Sequence, residues 1–335
     1  MTPATLRRLL AALCLMLGIL PLQAGLFDSD SLLELTITAN WTEFLADRGN
    51  NPDYHEASMQ WTSPQGAPVQ MPVEVRVRGN FRRDAFTCYF PPVRVKFPKK
   101  ALAPFDGQDK LKLVTHCNDD QYILREYYIY KVYSLLTPFS FRVRLARITY
   151  HDSKGQRPDE THFAFFIESE EELAARNGES PVADDVPLTP ESVDPEQLTM
   201  VHLFNYMISN LDFEVELRQN LKAITNGRGK PLLAPYDFDW SGMVDAPYTK
   251  SSTAKGSAYY ARRSFKPLCR TEAEYAQMLA RFQAIRPQLI AIYEESPYLD
   301  KKIAAESLKY YRDFYKTASK PGFIEEVLRA GCRAE

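Results

Sequence analysis

The chain has 335 residues, of which 45% are hydrophobic and 25% are charged. This composition is typical of a globular protein and excludes the intrinsically disordered, collagen-like and polytopic membrane classes. The 41 Lys and Arg residues against 43 Asp and Glu residues give a net charge of −2, so we expect no nucleic-acid partner, because such binding needs a concentrated basic surface.

The N-terminus has the pattern of a cleaved secretion signal. Arg7 and Arg8 precede an apolar run over residues 9–22, and small residues follow at Ala24 and Gly25. The run is shorter than the roughly 20 apolar residues of a membrane span. We therefore predict a signal peptide over residues 1–24, no transmembrane segment in the mature chain, and a periplasmic or secreted location. A retained N-terminal anchor is the alternative.

Removal of that segment leaves four cysteines, Cys88, Cys117, Cys269 and Cys332. An even number in an oxidising compartment permits disulfides, and four cysteines allow three pairings. Cys88 and Cys117 lie in adjacent strand-like segments, which favours a bridge between them. Buried free thiols are the alternative.

The mature chain changes in character along its length. Period-two alternation, typical of half-buried strands, marks residues 33–37, 73–78, 93–97 and 110–114, and strand-like segments return at 141–150 and 162–167. Residues 123–135 have helical spacing and predict one helix among these strands. Residues 174–195 are acidic and contain proline, which predicts a surface loop. Helical spacing then dominates residues 197–210, 272–293, 299–317 and 322–330.

We therefore predict an α+β protein with two lobes. A β-rich N-terminal lobe with one helix covers residues 25–173, an acidic inter-lobe loop covers 174–195, and a mainly helical C-terminal lobe covers 196–335. A single core stops growing at roughly 250 to 300 residues, which favours two lobes with a cleft between them.

The strongest candidate site is the string PYDFDWSG over residues 235–242. Asp237 and Asp239 follow an apolar strand-like run, and carboxylate oxygens are the ligands that Mg²⁺ prefers. The alternative is a turn in which both side chains bond to the local backbone. Aromatic neighbours make both acids costly to half-bury without a partner, which favours a bound cation.

Asp212 and Asn220 form a second candidate site. Asp212 closes a predicted helix and Asn220 opens an apolar strand-like run, so both can face the cleft. The order Asp, Asn, Asp is that of protein-kinase catalytic machinery, in which the first Asp accepts a hydroxyl proton and the other residues hold metal. The spacing of eight from Asp212 to Asn220 exceeds the five of the usual kinase loop. A helix-end residue in a turn is the alternative for Asp212.

A third candidate is the basic string RVRGNFRR over residues 76–83. A Gly-containing turn crowded with arginines can present backbone N–H groups and guanidinium forks to a phosphate, and a solvated hairpin tip is the alternative. The string NGRGK over residues 226–230 lacks the spacing of a phosphate loop and predicts a hairpin turn. The five histidines are dispersed in sequence, which favours structural histidines over a zinc site.

Taken together, these strings resemble the spore-coat-protein-H (CotH) type of atypical secretory kinase. The resemblance spans residues 73–242 and includes the Arg-Gly-Asn turn at 78–80, the basic strand at 94–97, the Arg-bearing helix at 124–126, the Glu-ended strand at 166–168 and the Asp-x-Asp-Trp motif at 237–240. The strings CYFPP, KLVTHC and PYDFDWSG are also similar to those of a group of secreted bacterial proteins. The resemblance implies a two-lobed protein-kinase-like fold.

It also implies roles for individual residues. Asp212 is expected to be the catalytic base, Asn220 and Asp237 metal ligands, and Asp239 a second ligand or an orienting residue. Arg78 is expected near the phosphates of a nucleotide.

A lysine in the β-rich lobe is expected to pair with a glutamate, as in kinases. Lys96 and Lys112 are the candidate lysines, and Glu126 and Glu168 are the candidate glutamates.

Three hypotheses for function follow. The first is a metal-dependent phosphotransferase that uses Mg²⁺ or Mn²⁺ with ATP or another phosphate donor, and acts on a protein or other hydroxyl acceptor of the cell envelope. The second is a non-catalytic, pseudokinase-like envelope binding protein in which the acidic pair is structural. The third is a metal-dependent hydrolase or sugar transferase, since Asp-x-Asp also serves those chemistries.

Overall fold

The computed structural model describes residues 25–251 and 263–333, and the predicted signal peptide lies outside the described residues. Seven strands form a closed barrel in the order β1-β2-β3-β4-β5-β7-β6. The barrel strands are β1 (Leu33–Ala39), β2 (His55–Thr62), β3 (Pro68–Val77), β4 (Val93–Lys96), β5 (Lys110–Val114), β6 (Val143–Asp152) and β7 (Glu160–Ile167). β1 pairs with β6 in parallel and so closes the sheet, with a register that runs from Leu33 opposite Ala146 to Ala39 opposite Asp152.

Alternation along the strands separates the barrel interior from its outer face. On β3 the buried residues Val73, Val75 and Val77 alternate with the half-buried Glu74 and Arg76. The apolar set points inwards and forms the barrel core because successive strand side chains point to opposite faces. The second half of β7, over residues 164–167, is buried on both faces because helices cover its outer side.

Eight α-helices and one π-helix accompany the strands in the described part of the chain. They are α1 (Trp41–Ala46), α2 (Asp120–Tyr133), α3 (Glu170–Arg176), α4 (Pro195–Ile208), α5 (Pro247–Ser251), α6 (Glu272–Ala284), α7 (Arg286–Glu294), α8 (Lys301–Ala318) and the π-helix Ile324–Arg329. Pro287 near the start of α7 separates α6 from α7, since proline favours the first turn of a helix. No helix among these is long and apolar enough to cross a membrane.

Helix α2 is the buried centre of the molecule. The Asp119 side chain accepts a hydrogen bond from the Gln121 N–H at its start, which satisfies one free donor of the first turn. The helix packs on the outer side of β6 and β7 and shares one core with the C-terminal helices, through Phe165 of the barrel, Phe204 of α4 and Tyr293 of α7.

A second, three-stranded antiparallel sheet lies in the C-terminal part of the chain. Its order is β10-β9-β8, with β8 (Ser180–Pro181), β9 (Leu221–Thr225) and β10 (Leu232–Pro235). Leu232 pairs with Ile224 across the turn at residues 226–230, which confirms the predicted hairpin. Strand β8 falls within residues 174–195, the segment predicted as a loop.

The predicted two-lobed, kinase-like fold with a helical C-terminal lobe is wrong. The β-rich part is a closed barrel with three helices where one was predicted, and the C-terminal part contains a sheet as well as short helices. Alternation marks half-buried strands but does not distinguish an open sheet from a closed one, because closure depends on pairing between β1 and β6, more than a hundred residues apart. The core around α2 also joins the two parts instead of leaving a separate lobe on each side.

Two disulfides fix loops of the fold. Cys88 is bonded to Cys117, which confirms the expected bridge, and Cys269 is bonded to Cys332. Disulfides persist in oxidising compartments.

The barrel core provides a direct test of the fold. Phe166 is fully buried inside the barrel, whereas Phe86 is fully exposed on the loop between β3 and β4. We expect Phe166→Ala to lower the free energy of unfolding by about 3 to 5 kcal/mol, because it leaves a cavity in the core. Phe86→Ala is the matched control and should change it by less than about 0.5 kcal/mol. Urea unfolding followed by circular dichroism measures both, and equal effects would contradict the barrel.

Candidate functional site

A buried arginine joins three carboxylates at the centre of the candidate site. Arg82 Nη2 lies 3.0 Å from Asp237 Oδ1, and its Nε lies 3.3 Å from Asp239 Oδ2. Its Nη1 lies 3.7 Å from Glu126 Oε2. These residues come from the β3–β4 loop, helix α2 and the turn after β10, so the arginine links three separate parts of the chain.

The β3–β4 loop holds Arg82 through several anchors. Cys88 ties the end of the loop to Cys117, just before α2. Arg48 donates hydrogen bonds to the backbone carbonyls of Arg83, at 3.2 Å, and Cys88, at 2.6 Å. Because both ends of the loop are attached, the guanidinium is directed towards α2 and the turn after β10.

The turn after β10 presents its two acids differently. Asp237 has a left-handed φ of 60°, and its N–H donates to the Tyr130 hydroxyl at 2.8 Å. Its side chain is 35% exposed, against 5% for Asp239. Asp239 Oδ2 also accepts a hydrogen bond from the Tyr248 hydroxyl at 2.8 Å. Asp237 can therefore reach a ligand, whereas Asp239 is enclosed by protein.

The buried cluster contains more acid than base. Burial raises the pKa of Glu126 well above its ordinary value, against the opposing charge of Arg82. Burial likewise raises the pKa of Asp239 to about 7. One guanidinium that is shared with the half-exposed Asp237 cannot fully compensate two buried carboxylates, which favours a proton on the buried pair. Glu126 is the natural carrier, because neither of its carboxyl oxygens has a hydrogen-bond partner in the described structure.

Asp212 and Asn220 lie beside this turn and are bonded to each other. Asn220 Nδ2 donates to Asp212 Oδ2 at 2.9 Å and to the Asp212 carbonyl at 2.6 Å. Gln219 Nε2 donates to Asp212 Oδ1 at 2.6 Å. The Tyr236 N–H donates to the Asn220 carbonyl at 3.0 Å, which brings this pair next to Asp237. Both carboxylate oxygens of Asp212 are therefore held in place by amide donors.

A basic surface, formed by Arg78, Arg94 and Lys112 on the outer side of the barrel, faces the same turn. Arg94 pairs with Lys112 across β4 and β5, and Arg78 follows β3. Lys112 Nζ lies 4.5 Å from the centre of the Tyr236 ring. Burial lowers the pKa of Lys112 to about 8, with Arg78 contributing and Asp237 opposing.

The cations of this surface are poorly compensated. Burial also lowers the pKa of Arg78, although Asp237 opposes the change. Among the described residues, neither the Arg78 guanidinium nor the Lys112 ammonium forms an ion pair with a carboxylate. Desolvated cations without counter-ions are unfavourable, which makes this surface suited to a bound anion.

The structure brings together seven of the nine predicted site residues. They are Arg78, Lys112, Glu126, Asp212, Asn220, Asp237 and Asp239. These residues lie at or next to the boundary between the barrel and the turn after β10, and this boundary is called the cleft below.

Lys96 and Glu168 lie apart from this cleft. Lys96 Nζ pairs with Glu74 at 2.5 Å on the barrel surface, and Glu168 pairs with Arg142 at 2.8 Å and Arg176 at 2.9 Å. The expected lysine–glutamate pair is therefore not formed by either candidate lysine. Glu126 pairs with an arginine instead.

Sequence reasoning missed the partner of the acidic pair. It anticipated that two acids among aromatic residues need compensation, but assigned that role to a metal ion instead of Arg82. The signal was present in the basic string at 76–83, which was interpreted as a phosphate-binding turn or a solvated tip. Gln219 and Tyr248, which bond to Asp212 and Asp239, carried no recognisable pattern.

The residues fit a divalent cation only in part. Asp239 is buried and engaged by both Arg82 and Tyr248, so it does not fit the role of a metal ligand. Asp237 also pairs with Arg82, through Oδ1, but its side chain is half-exposed and can share a cation. Asn220 uses its Nδ2 on Asp212 and keeps an amide oxygen for a cation. These two residues would hold Mg²⁺ or Mn²⁺, with ligand and solvent oxygens completing the shell.

Comparison with protein-family models and with curated proteins finds no match for the chain. The chemistry of the site is therefore argued from its own residues.

Removal of the central guanidinium should destabilise the fold. Arg82→Met keeps much of the side-chain volume but leaves Asp237 and Asp239 without their cation, and we expect a loss of about 3 to 5 kcal/mol in the free energy of unfolding. Arg83→Met is the control, because Arg83 makes only 3.4 Å contacts to Asn50. Urea unfolding of both variants tests this, and a cost for Arg82→Met no larger than for Arg83→Met would exclude the role given to Arg82.

The proton on Glu126 predicts a pH dependence. The pKa of Glu126 in the native state lies above its ordinary value of 4.5, so the native state binds this proton more strongly than the unfolded chain does. The free energy of unfolding therefore falls as the pH rises above about 4.5. Glu126→Gln lacks this contribution. The stability advantage of the wild type over Glu126→Gln should therefore be smaller at pH 8 than at pH 5 in urea unfolding.

Glu168→Gln is the matched control for a buried glutamate. It removes the charge that pairs with Arg142 and Arg176, so we expect it to cost about 3 kcal/mol at pH 8. A Glu126→Gln variant that behaves like Glu168→Gln would show that Glu126 is ionised in the native protein.

Proposed function

We propose that the chain is a periplasmic or secreted phosphotransferase whose cleft binds a phosphate-bearing donor on the surface formed by Arg78, Arg94 and Lys112. The observation that carries the proposal is the pair of half-buried cations, Arg78 and Lys112, which form no ion pair with a carboxylate among the described residues and lie beside the half-exposed Asp237. The fold gives no support here, because the closed barrel overturns the kinase-like architecture. The charges and hydrogen bonds of the cleft support the proposal.

A phosphate group suits this surface for two physical reasons. Its oxygens accept charge-assisted hydrogen bonds from arginine and lysine, which are stronger than neutral ones. Its negative charge also offsets the cost of burying Arg78 and Lys112. The ring of Tyr236 covers one side of the Lys112 ammonium and keeps water from part of that site.

The residues that flank the second sheet would act on the acceptor. Asp212 is held by Gln219 and Asn220, so its carboxylate is fixed in one orientation and would accept the proton of an acceptor hydroxyl. Mg²⁺ or Mn²⁺ at Asp237 and Asn220 would neutralise charge on the transferred group. Positioning and charge neutralisation would supply most of the rate enhancement. A protein or another hydroxyl compound of the cell envelope is the proposed acceptor, and ATP is one candidate donor.

A non-catalytic envelope binding protein is the second candidate. The ion pairs of Arg82 with Asp237 and Asp239 favour it, because they give the acidic pair a structural role that needs no metal. In that case the basic surface would bind an anionic partner without turnover.

Ligand-induced stabilisation distinguishes the two candidates. We expect ATP with Mg²⁺ or Mn²⁺ to raise the melting temperature of the mature chain, since a ligand at a hundred times its dissociation constant adds about 2.7 kcal/mol. Lys112→Met should fold, because it removes the cost of a desolvated ammonium, and it should lose the shift. Lys96→Met is the matched control on the neighbouring strand and should keep it.

Asp237→Asn separates the roles of metal and anion. It should abolish the difference between ATP alone and ATP with metal, while binding to the basic surface remains. No shift in the folded wild type with ATP or pyrophosphate, with or without metal, would refute the phosphate-donor proposal and favour the binding protein. An equal shift in Lys112→Met and wild type would place the ligand elsewhere.

A further inference from the structure

A group of potential metal ligands lies at the start of α2. His116 follows β5, Asp120 begins α2 and His162 belongs to β7. One ligand atom from each of the three lies within 4.8 Å of the others. The three residues come from separate elements, which explains why their spacing in the sequence predicted no zinc site.

His116 is a buried side chain without a hydrogen-bond partner. It is 2% exposed, and neither Nδ1 nor Nε2 has a partner in the described structure. Its ring stacks on that of His162, with centroids 3.7 Å apart and planes inclined by 13°. Burial of an imidazole with two unsatisfied nitrogens is costly, so the position requires a compensating interaction.

The surroundings leave His116 open to a ligand and orient the other two groups. Neither ring nitrogen of His116 has a hydrogen-bond partner in the described structure, so a neutral ring can offer a lone pair to an ion. His162 Nδ1 lies 3.1 Å from Asp120 Oδ1, which also accepts a hydrogen bond from the Phe163 N–H. Asp120 and His162 are 27% and 30% exposed, so an ion can enter from solvent.

We propose that His116, Asp120 and His162 form a binding site for a divalent transition-metal ion, with Zn²⁺ as the ion that the donors fit best. Two imidazoles and one carboxylate are the donor set of three-ligand zinc sites, whereas Mg²⁺ and Ca²⁺ prefer oxygen ligands alone. Zinc bonds of about 2.0 to 2.2 Å place ligand atoms roughly 3.3 Å apart. An imidazole binds zinc along a lone pair in the plane of its ring, and the two stacked rings are nearly parallel. The half-exposed His162 ring would therefore have to rotate out of the stack for both nitrogens to point at one ion.

The fourth position has a candidate ligand at its edge. Glu160 Oε2 lies 3.8 Å from His162 Nε2, while its other oxygen accepts a hydrogen bond from the Tyr89 hydroxyl at 2.7 Å. Either this carboxylate or water would complete a tetrahedral shell. The ion would then join the disulfide-linked loop at Cys117, the start of α2 and strand β7.

Calorimetric titration of the metal-free mature chain with Zn²⁺ tests the site. We expect one Zn²⁺ per chain with micromolar or tighter affinity and no comparable binding of Mg²⁺. His162→Gln should weaken Zn²⁺ binding at least a hundredfold. His151→Gln is the matched control, because His151 forms a similar pair with Asp159 at 2.8 Å on the surface, and it should leave Zn²⁺ binding unchanged.

A second variant uses the buried histidine. His116→Phe fills the same space and removes two unsatisfied nitrogens. We therefore expect the metal-free variant to melt at or above the melting temperature of the metal-free wild type. The variant should also lose the rise in melting temperature that Zn²⁺ causes in the wild type. Co²⁺ as a probe should give the visible absorption of a tetrahedral ion in the wild type only. No stoichiometric Zn²⁺ binding, or equal weakening by His162→Gln and His151→Gln, would overturn the proposal.

Discussion

The structure depends on one buried guanidinium. Arg82 lies among carboxylates from helix α2 and the turn after β10, and it is the cation that allows these acids to be buried at all. A charge in the protein interior is tolerated only when it is paired. The Arg82 guanidinium must therefore be paired with carboxylates from α2 and from the turn at Asp237 at the same time. This requirement determines how the β3–β4 loop, α2 and the turn are placed relative to one another.

Asp237 connects two environments of opposite charge. On one side the cluster around Arg82 has an excess of carboxylates and retains a proton, and on the other the surface of Arg78 and Lys112 has an excess of cations. Asp237 contacts Arg82 directly and lowers the cost of burying the other two cations. An anion bound to the basic surface, as proposed, would take over part of that compensation without a rearrangement of the buried cluster.

Local features of the fold could be predicted from the sequence, whereas features that depend on distant pairing could not. Alternation from Val73 to Val77 identified a strand, and the bridge between Cys88 and Cys117 followed from neighbouring strand-like segments. Closure of the barrel depends on β1 meeting β6, and no local pattern records which distant strand is a neighbour. The same limit applies to the site: Asp237 was recognised from its own motif, but its partner Arg82 lies 155 residues earlier.

Helix α2 links the proposed metal site to the cleft by its rigidity. Asp120 begins the helix and Glu126 lies six residues later, about 9 Å along its axis. Helices and barrel strands pack on the helix from both sides, and close-packed interiors deform little. A metal ion at the start of α2 would therefore hold the helix and the Cys117 loop in their native positions without moving Glu126 relative to Arg82. Such an ion would stabilise the packing of α2 against the barrel and the C-terminal helices. It would therefore affect the cleft through the stability of this packing and not through a change in the shape of the cleft.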